Sequence, residues 1–209
     1  MELIDYLNTH FFTRAQLLAR TGIEPDMLED WQRRRMMPQP SYRLRLDAHC
    51  HSFFGAHIEQ LAADYYPKGS PAWIAALGAL ADERLAYELF ARRYRARLAQ
   101  LAASDIVPLE PQLAGEAHIA AEWEHFMAGT YGVCTVSGLV EDIAAKEAAI
   151  VLIRELAATD EQALTAAQRQ RLRSAVDLLD SVSAPFAPHE VARSSRRKYV
   201  DDVRAAYGL

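Results

Sequence analysis

Residues 165–183 read TAAQRQRLRSAVDLLDSVS, and this stretch decides the fold class. Leu172, Val176, Leu179 and Val182 recur at helical spacing, so one apolar stripe runs along an otherwise polar segment. Thr165 followed by Gln168 is a capping box, in which each side chain satisfies a backbone N–H at the helix start. Upstream, 139–158 reads as a long apolar helix carrying Leu139, Ile143, Ile150, Val151, Ile153 and Leu156. Composition agrees: 37 Ala and 24 Leu in 209 residues are strong helix formers, and Gly and Pro number only 9 each. β-branched residues and turn formers are too few for an all-β chain.

Working outward, helices are expected over 116–128, over 81–103 and from Ser70-Pro71, where a hydroxyl cap meets a first-turn proline. Arg92, Arg93, Arg95 and Arg97 read as a solvated helix face. Asp105 to Gly115, with Pro108 and Pro111, is a break. Ala184-Pro185-Phe186-Ala187-Pro188-His189 reads as a rigid turn before a last helix over 195–207. Residues 47–69 read as a His-rich connector with His49, Cys50, His51 and His57.

Residues 1–46 read as two short helices around a tight turn. A Thr13–Gln16 capping box opens the first, Thr21-Gly22-Ile23 turns the chain, and Pro25 starts the second. The run from Phe12 to Ile23, then Leu28, Trp31 and Met37-Pro38, resembles the start of MerR-type DNA-binding domains. That resemblance implies a helix-turn-helix. It departs at Pro38-Gln39-Pro40-Ser41-Tyr42-Arg43, which leaves little room for a full hairpin wing. Seven Arg against six acids in 1–46 make a weak counter-charge for DNA phosphates.

Charge and cysteine content exclude other classes. The chain has 23 basic and 28 acidic residues, net −5, so it does not read as a nucleic-acid coat. Two cysteines give no disulfide framework. No signal peptide or membrane span is read, so the expected compartment is the cytoplasm.

The sharpest constellation is His118, Glu122 and His125, which share one helix face at steps of four and three. Two chemistries suit it: an acid/base pair in which the carboxylate fixes a histidine tautomer, or a transition-metal site. Ordinary helix-face hydrogen bonds are the alternative. The segment 130–137 gathers Thr130, Tyr131, Cys134 and Thr135 ahead of a helix N-terminus, which suits substrate binding and could activate the thiol. A capping connection with an inert cysteine is the plainer reading. On the long helix, Asp142 and Lys146 are an i, i+4 pair, and Glu147 lies on the apolar stripe. Lys146 and Glu147 either face His125 across a polar site or form a structural ion pair. His189, held between prolines, is a further candidate catalytic residue.

Thr130-Tyr131-Gly132, Cys134-Thr135, residues 141–147 and residues 184–190 resemble an uncharacterised bacterial family associated with natural-product biosynthesis gene clusters. The resemblance implies a biosynthetic role and assigns no reaction. The expectation is therefore an all-α protein. A helix-turn-helix-like module (1–46) packs on a helical bundle (47–209) that carries a site on His125, Glu122, Lys146, Glu147 and His189. The expected function is a natural-product enzyme or pathway accessory acting on a small molecule, with the cofactor undefined. The alternatives are a MerR-like regulator with a ligand-sensing helical domain and a non-catalytic partner-binding protein. DNA is not the favoured partner, and a homodimer is compatible with the sequence.

Overall fold

The computed structural model describes residues 2–104, 106–107, 110–159 and 163–209. Helix α1 (Glu2–His10) leads into a short strand β1 (Phe11–Thr13) and then α2 (Arg14–Thr21). The Thr13 capping box forms: Gln16 N–H donates to Thr13 Oγ1 at 3.3 Å, and Thr13 N–H donates to Gln16 Oε1 at 3.0 Å. Gly22 ends α2 at φ 68°, a left-handed conformation that glycine adopts without steric cost. Helix α3 (Pro25–Arg33) follows, so the two expected helices are present, but residues 1–46 also hold a further helix, α1, and strand β1, which the two-helix reading lacked.

The all-α expectation is overturned. The protein is about 61% helix and 14% strand, with a three-stranded antiparallel sheet. Residues read as a connector form two long strands, β2 (Tyr42–Ser52) and β3 (Gly55–Pro67), and β1 joins the other edge of β3. Residue 46, where the sequence divides module from bundle, lies inside β2. The room that Pro38 to Arg43 lacks for a hairpin is found further along the chain, in 42–67. β2 does alternate, with Tyr42, Leu44 and Leu46 on one face and Arg43, Arg45 and Asp47 on the other. The pattern then fades to Ala48 and Cys50, and β3 carries Ala56, Ala62 and Ala63, residues poor in strand preference. The two-residue turn Phe53-Phe54 also lacks the usual Asn-Gly signal.

Beyond the hairpin come α4 (Ser70–Leu77), α5 (Glu83–Ala103), α6 (Glu116–Met127), α7 (Thr130–Cys134), α8 (Val140–Leu156), α9 (Ala166–Val182) and α10 (Asp202–Tyr207). The cap of α4 is Gly69, not the Ser70 hydroxyl, and the last helix is preceded by a π-helical turn at Arg197–Asp201. The expected break after α5 includes Asp105 and Pro108, which lie outside the described residues. The α9 stripe is buried as expected: Leu172, Val176 and Leu179 have no exposed surface. At about 1.5–3 kcal/mol for each large apolar side chain removed from water, this stripe fixes α9 on its neighbour α8.

Leu17, Leu28 and Met36 belong to the same apolar core as α5, α8 and α9. Trp73 Nε1 donates to the Met36 carbonyl at 2.9 Å, and Gln39 N–H donates to the Met127 carbonyl at 2.9 Å. Arg35 adds ion pairs to Glu83 and Glu124 at 2.7 and 2.6 Å. Among the described residues no helix is long and apolar enough to cross a membrane.

Candidate functional site

Helix α6 has two working faces. Ile119, Trp123 and Phe126 are buried in an aromatic core with Phe90 and Trp73, whose rings lie 5.4 Å from Trp123 and 5.0 Å from Phe126 respectively. That packing fixes the rotation of the helix. Glu122 is thereby carried inward to 7% exposure, while His118 is half-buried and His125 exposed. Glu122 is the uncommon case of a buried carboxyl, and such a group must be hydrogen-bonded or change its protonation.

Its partner comes from α7. Gly129, at φ 81°, turns the chain so that α7 folds back and Tyr131 donates its phenolic hydrogen to Glu122 Oε2. His118 Nε2 lies 3.9 Å from Glu122 Oε1 and also contacts the Tyr94 hydroxyl, from α5, at 3.1 Å. Helix α8 completes the cluster with Lys146, 7% exposed, whose Nζ is 3.2 Å from Glu147 Oε1 and 6.0 Å from the Tyr131 ring centre. The exposed His125 ring stands edge-on to Tyr131, 6.3 Å between centres.

The electrostatics follow from burial. Burial raises the Glu122 carboxyl above its ordinary pKa; the Tyr131 hydrogen bond, His118 and His125 oppose it, and the nearby Glu147 charge adds to it. Burial works against the charge on Lys146, yet the acidic groups around it, Cys134, Glu147 and Glu122, hold its pKa above the ordinary value. Burial pushes the Cys134 thiol up to about 11, against the pull of Lys146. Two carboxyls and one ammonium thus share a poorly hydrated space with one negative charge in excess. Taking up a proton on Glu122 relieves that excess, in keeping with its raised pKa.

The structure brings together most of the sequence candidates: His118, Glu122, Tyr131, Cys134, Lys146 and Glu147 share this cluster, with His125 at its edge. Other expectations are corrected. The loop expected over 130–137 begins as helix α7. Thr135 is 1% exposed; its hydroxyl donates to the Tyr131 carbonyl at 2.6 Å and accepts from Gly138 N–H at 3.0 Å, so it is engaged inside the fold and not presented to a substrate. Thr130 is exposed on the surface. Cys134 ends α7 and does not sit at a helix N-terminus. Its Sγ lies 3.7 Å from the Thr130 carbonyl, and burial raises its pKa, which works against an activated thiolate. The glycines around it serve close packing: a Cβ on Gly132 would overlap Ser41 and Pro67, and one on Gly138 would lie 2.6 Å from Pro67.

Asp142 does not pair with Lys146. It accepts from Ser137 N–H at 2.9 Å and from the Ser137 hydroxyl at 2.6 Å, shaping the entry to α8. His189 is exposed and lies near Glu190, at 3.8 Å. Glu190 in turn accepts from Tyr42 at 2.7 Å, so His189 belongs to the surroundings of Tyr42 rather than to the cluster. The metal reading of His118, Glu122 and His125 fails on geometry: among the described residues no group of three or more His, Cys, Asp or Glu side chains is disposed to hold a metal ion. Sequence reasoning missed Tyr94. It reads as an ordinary core aromatic of α5, and only packing shows its hydroxyl meeting His118. A cavity of about 20 Å³, roughly one water in size, lies beside α7 between Ser41, Tyr66, Trp73 and Gly132, and its lining does not include Glu122.

A family model described as a family of unknown function (DUF6058) matches residues 86–208, from within α5 to the end of α10, and so takes in every residue of the polar cluster. No curated protein and no solved structure matches the chain.

Proposed function

The chain belongs to the DUF6058 family, and we propose that it acts on a small polar molecule by acid/base chemistry at the Glu122–Lys146 cluster, as an enzyme or accessory of natural-product biosynthesis. The supporting observation is the buried Glu122 carboxyl, raised in pKa and hydrogen-bonded by Tyr131 with Lys146 close by. A carboxyl whose pKa is raised by burial is better suited than an ordinary glutamate to give and take a proton. In this reading Glu122 is the acid/base, Tyr131 relays or orients the proton, and Lys146 supplies a fixed positive charge for a developing anion. His118, in contact with Tyr94, and the exposed His125 are the parts of this α6 face that reach solvent. The biosynthetic setting rests on the resemblance of residues 130–132, 134–135, 141–147 and 184–190, and the cytoplasm is the compartment proposed with it.

The test is complementation. In the source strain with the gene deleted, wild type should restore the missing small-molecule product. Glu122→Gln, folded and expressed equally, should restore none of it. Full restoration by Glu122→Gln overturns the proposal.

One observation favours a second reading, a DNA-binding regulator. The order helix, strand, helix, helix, then hairpin sets β2–β3 directly after the α2–α3 pair, as a wing would follow a helix-turn-helix. Against it, the exposed surface of α3 carries Asp26 and Glu29, which repel phosphate. Salt-dependent binding of the chain to DNA from its own gene region would favour the regulator. No shift at low salt removes it.

A further inference from the structure

The β2–β3 hairpin leaves the body of the protein. Its base is packed where Tyr42, Leu44, Ala63 and Tyr65 meet α1 and β1. Every residue from 49 to 62 is exposed, and at about 3.4 Å per residue the arm reaches roughly 25 Å outward. Its tip is apolar: Phe53 and Phe54 are 96% and 95% exposed, and Ile58 is 65% exposed. A free two-stranded ribbon is marginally stable in water, and bare phenylalanines at its end add to the cost.

The outer edge of β2 is open. The sheet order is β1-β3-β2, so β2 has one neighbour among the described residues, and its eleven residues pair with β3 in unbroken register without a bulge or a proline. Such an edge is a template for another strand unless something blocks it. Two copies of β2 can meet antiparallel about a twofold axis. With the axis at Leu46, Leu46 meets the partner's Leu46, and Leu44 faces the partner's Ala48. Arg45 faces the partner's Asp47, and by symmetry Asp47 faces the partner's Arg45. Among the described residues neither Arg45 nor Asp47 has an ion-pair partner within its own chain. Moving the axis to Asp47 or Ala48 loses this match: the first opposes Asp47 to itself, and the second faces Arg45 with His51.

We propose that this edge is a homodimer interface, in which the β2 strands of two chains pair antiparallel about Leu46 to make one six-stranded sheet. Counting along that register, Phe53 and Phe54 come abreast of residues 39 and 38 in the other copy, at the base of its hairpin. The area is adequate. A buried phenylalanine contributes about 150–250 Å². Four of them, with the paired strands and the exposed leucines, bring the contact to the ~1,200 Å² of a stable interface. An isologous contact of this kind closes on itself and leaves no free β2 edge.

The experiment is analytical ultracentrifugation of the full chain. Wild type should sediment as a dimer. Arg45→Asp and Asp47→Arg each set like charges opposite one another twice and should weaken the dimer by about tenfold or more. The double variant R45D/D47R should restore it. Circular dichroism checks that each variant is folded, and both positions are exposed. In a second measurement, Leu46→Cys with Cys50→Ser should form an intermolecular disulfide on mild oxidation, because residues paired on the axis fall within disulfide reach. A monomeric wild type, a dimer indifferent to Arg45→Asp, a double variant that does not recover or the absence of a cross-link in the Leu46→Cys variant each overturns the proposal.

Discussion

Tyr131 donates its phenolic hydrogen to the Glu122 carboxylate across the corner between α6 and α7, and both residues are buried. The two lie nine positions apart, and Gly129 makes the meeting possible by reversing the chain in a left-handed conformation. Each group depends on the other. Burial raises the pKa of the Tyr131 phenol, and the Glu147 and Glu122 charges raise it further, so it stays a donor at all working pH values.

Two substitutions at Glu122 should therefore separate stability from chemistry. Glu122→Gln keeps an acceptor for Tyr131 and cannot ionise in its buried place, so urea unfolding should show stability at neutral pH equal to or above wild type. Glu122→Ala leaves the Tyr131 hydroxyl unsatisfied and should lower stability by about 1–3 kcal/mol. Both should reduce pathway output by about a hundredfold or more if Glu122 moves the proton. Equal stability of the Ala and Gln variants would show that the hydrogen bond contributes nothing.

The pH dependence of stability has a defined sign. Glu122 binds its proton more tightly folded than unfolded, since its folded pKa is raised. Its contribution is fully present below the unfolded carboxyl pKa and is lost as pH rises through the raised folded value. Wild type should lose stability relative to Glu122→Gln across that window. Unfolding curves of the two proteins at a series of pH values measure the difference directly, and parallel curves refute it.

Lys146 and Glu147 should behave as a coupled pair. Lys146→Met leaves Glu147 and Glu122 without their buried counter-charge and should cost about 3–5 kcal/mol. Adding Glu147→Gln removes the stranded charge and should recover much of that loss. A double variant as unstable as the sum of the two singles would mean the side chains do not interact.

Thiol chemistry should divide the two cysteines. Cys50 is exposed on the hairpin, whereas the Cys134 thiol is raised to about 11 by burial. Near pH 8, iodoacetamide should modify Cys50 rapidly and Cys134 slowly, as mass mapping of peptides will show. Unfolding in urea should make the rates similar. Fast labelling of Cys134 in the folded protein would restore it as a candidate nucleophile.

How far the fold was legible depended on local signals. The capping boxes at Thr13 and Thr165 and the Leu172–Val182 stripe are short-range patterns, and the helices they imply are present. The hairpin was not legible, because alanines and histidines dilute its alternation and an exposed arm lacks the apolar face that marks a strand. In the site, His118 and Glu122 were legible from spacing on one helix. Lys146 and Glu147 were legible as charges on an apolar helix, although the Asp142–Lys146 pairing read from spacing does not form. The Tyr94–His118 contact and the departure of His189 toward Tyr42 depend on how distant elements pack, and no local pattern encodes that.

Glu122 should hold a proton inside the bundle at pH values where an ordinary glutamate has lost it. Carbon NMR of protein labelled at the glutamate side-chain carboxyl, with Glu122→Gln assigning the resonance, follows that proton directly. The Glu122 titration midpoint should lie clearly above the ordinary 4.5 and move when Lys146 is replaced by Met. A midpoint at or below 4.5 that does not respond to Lys146→Met would contradict it.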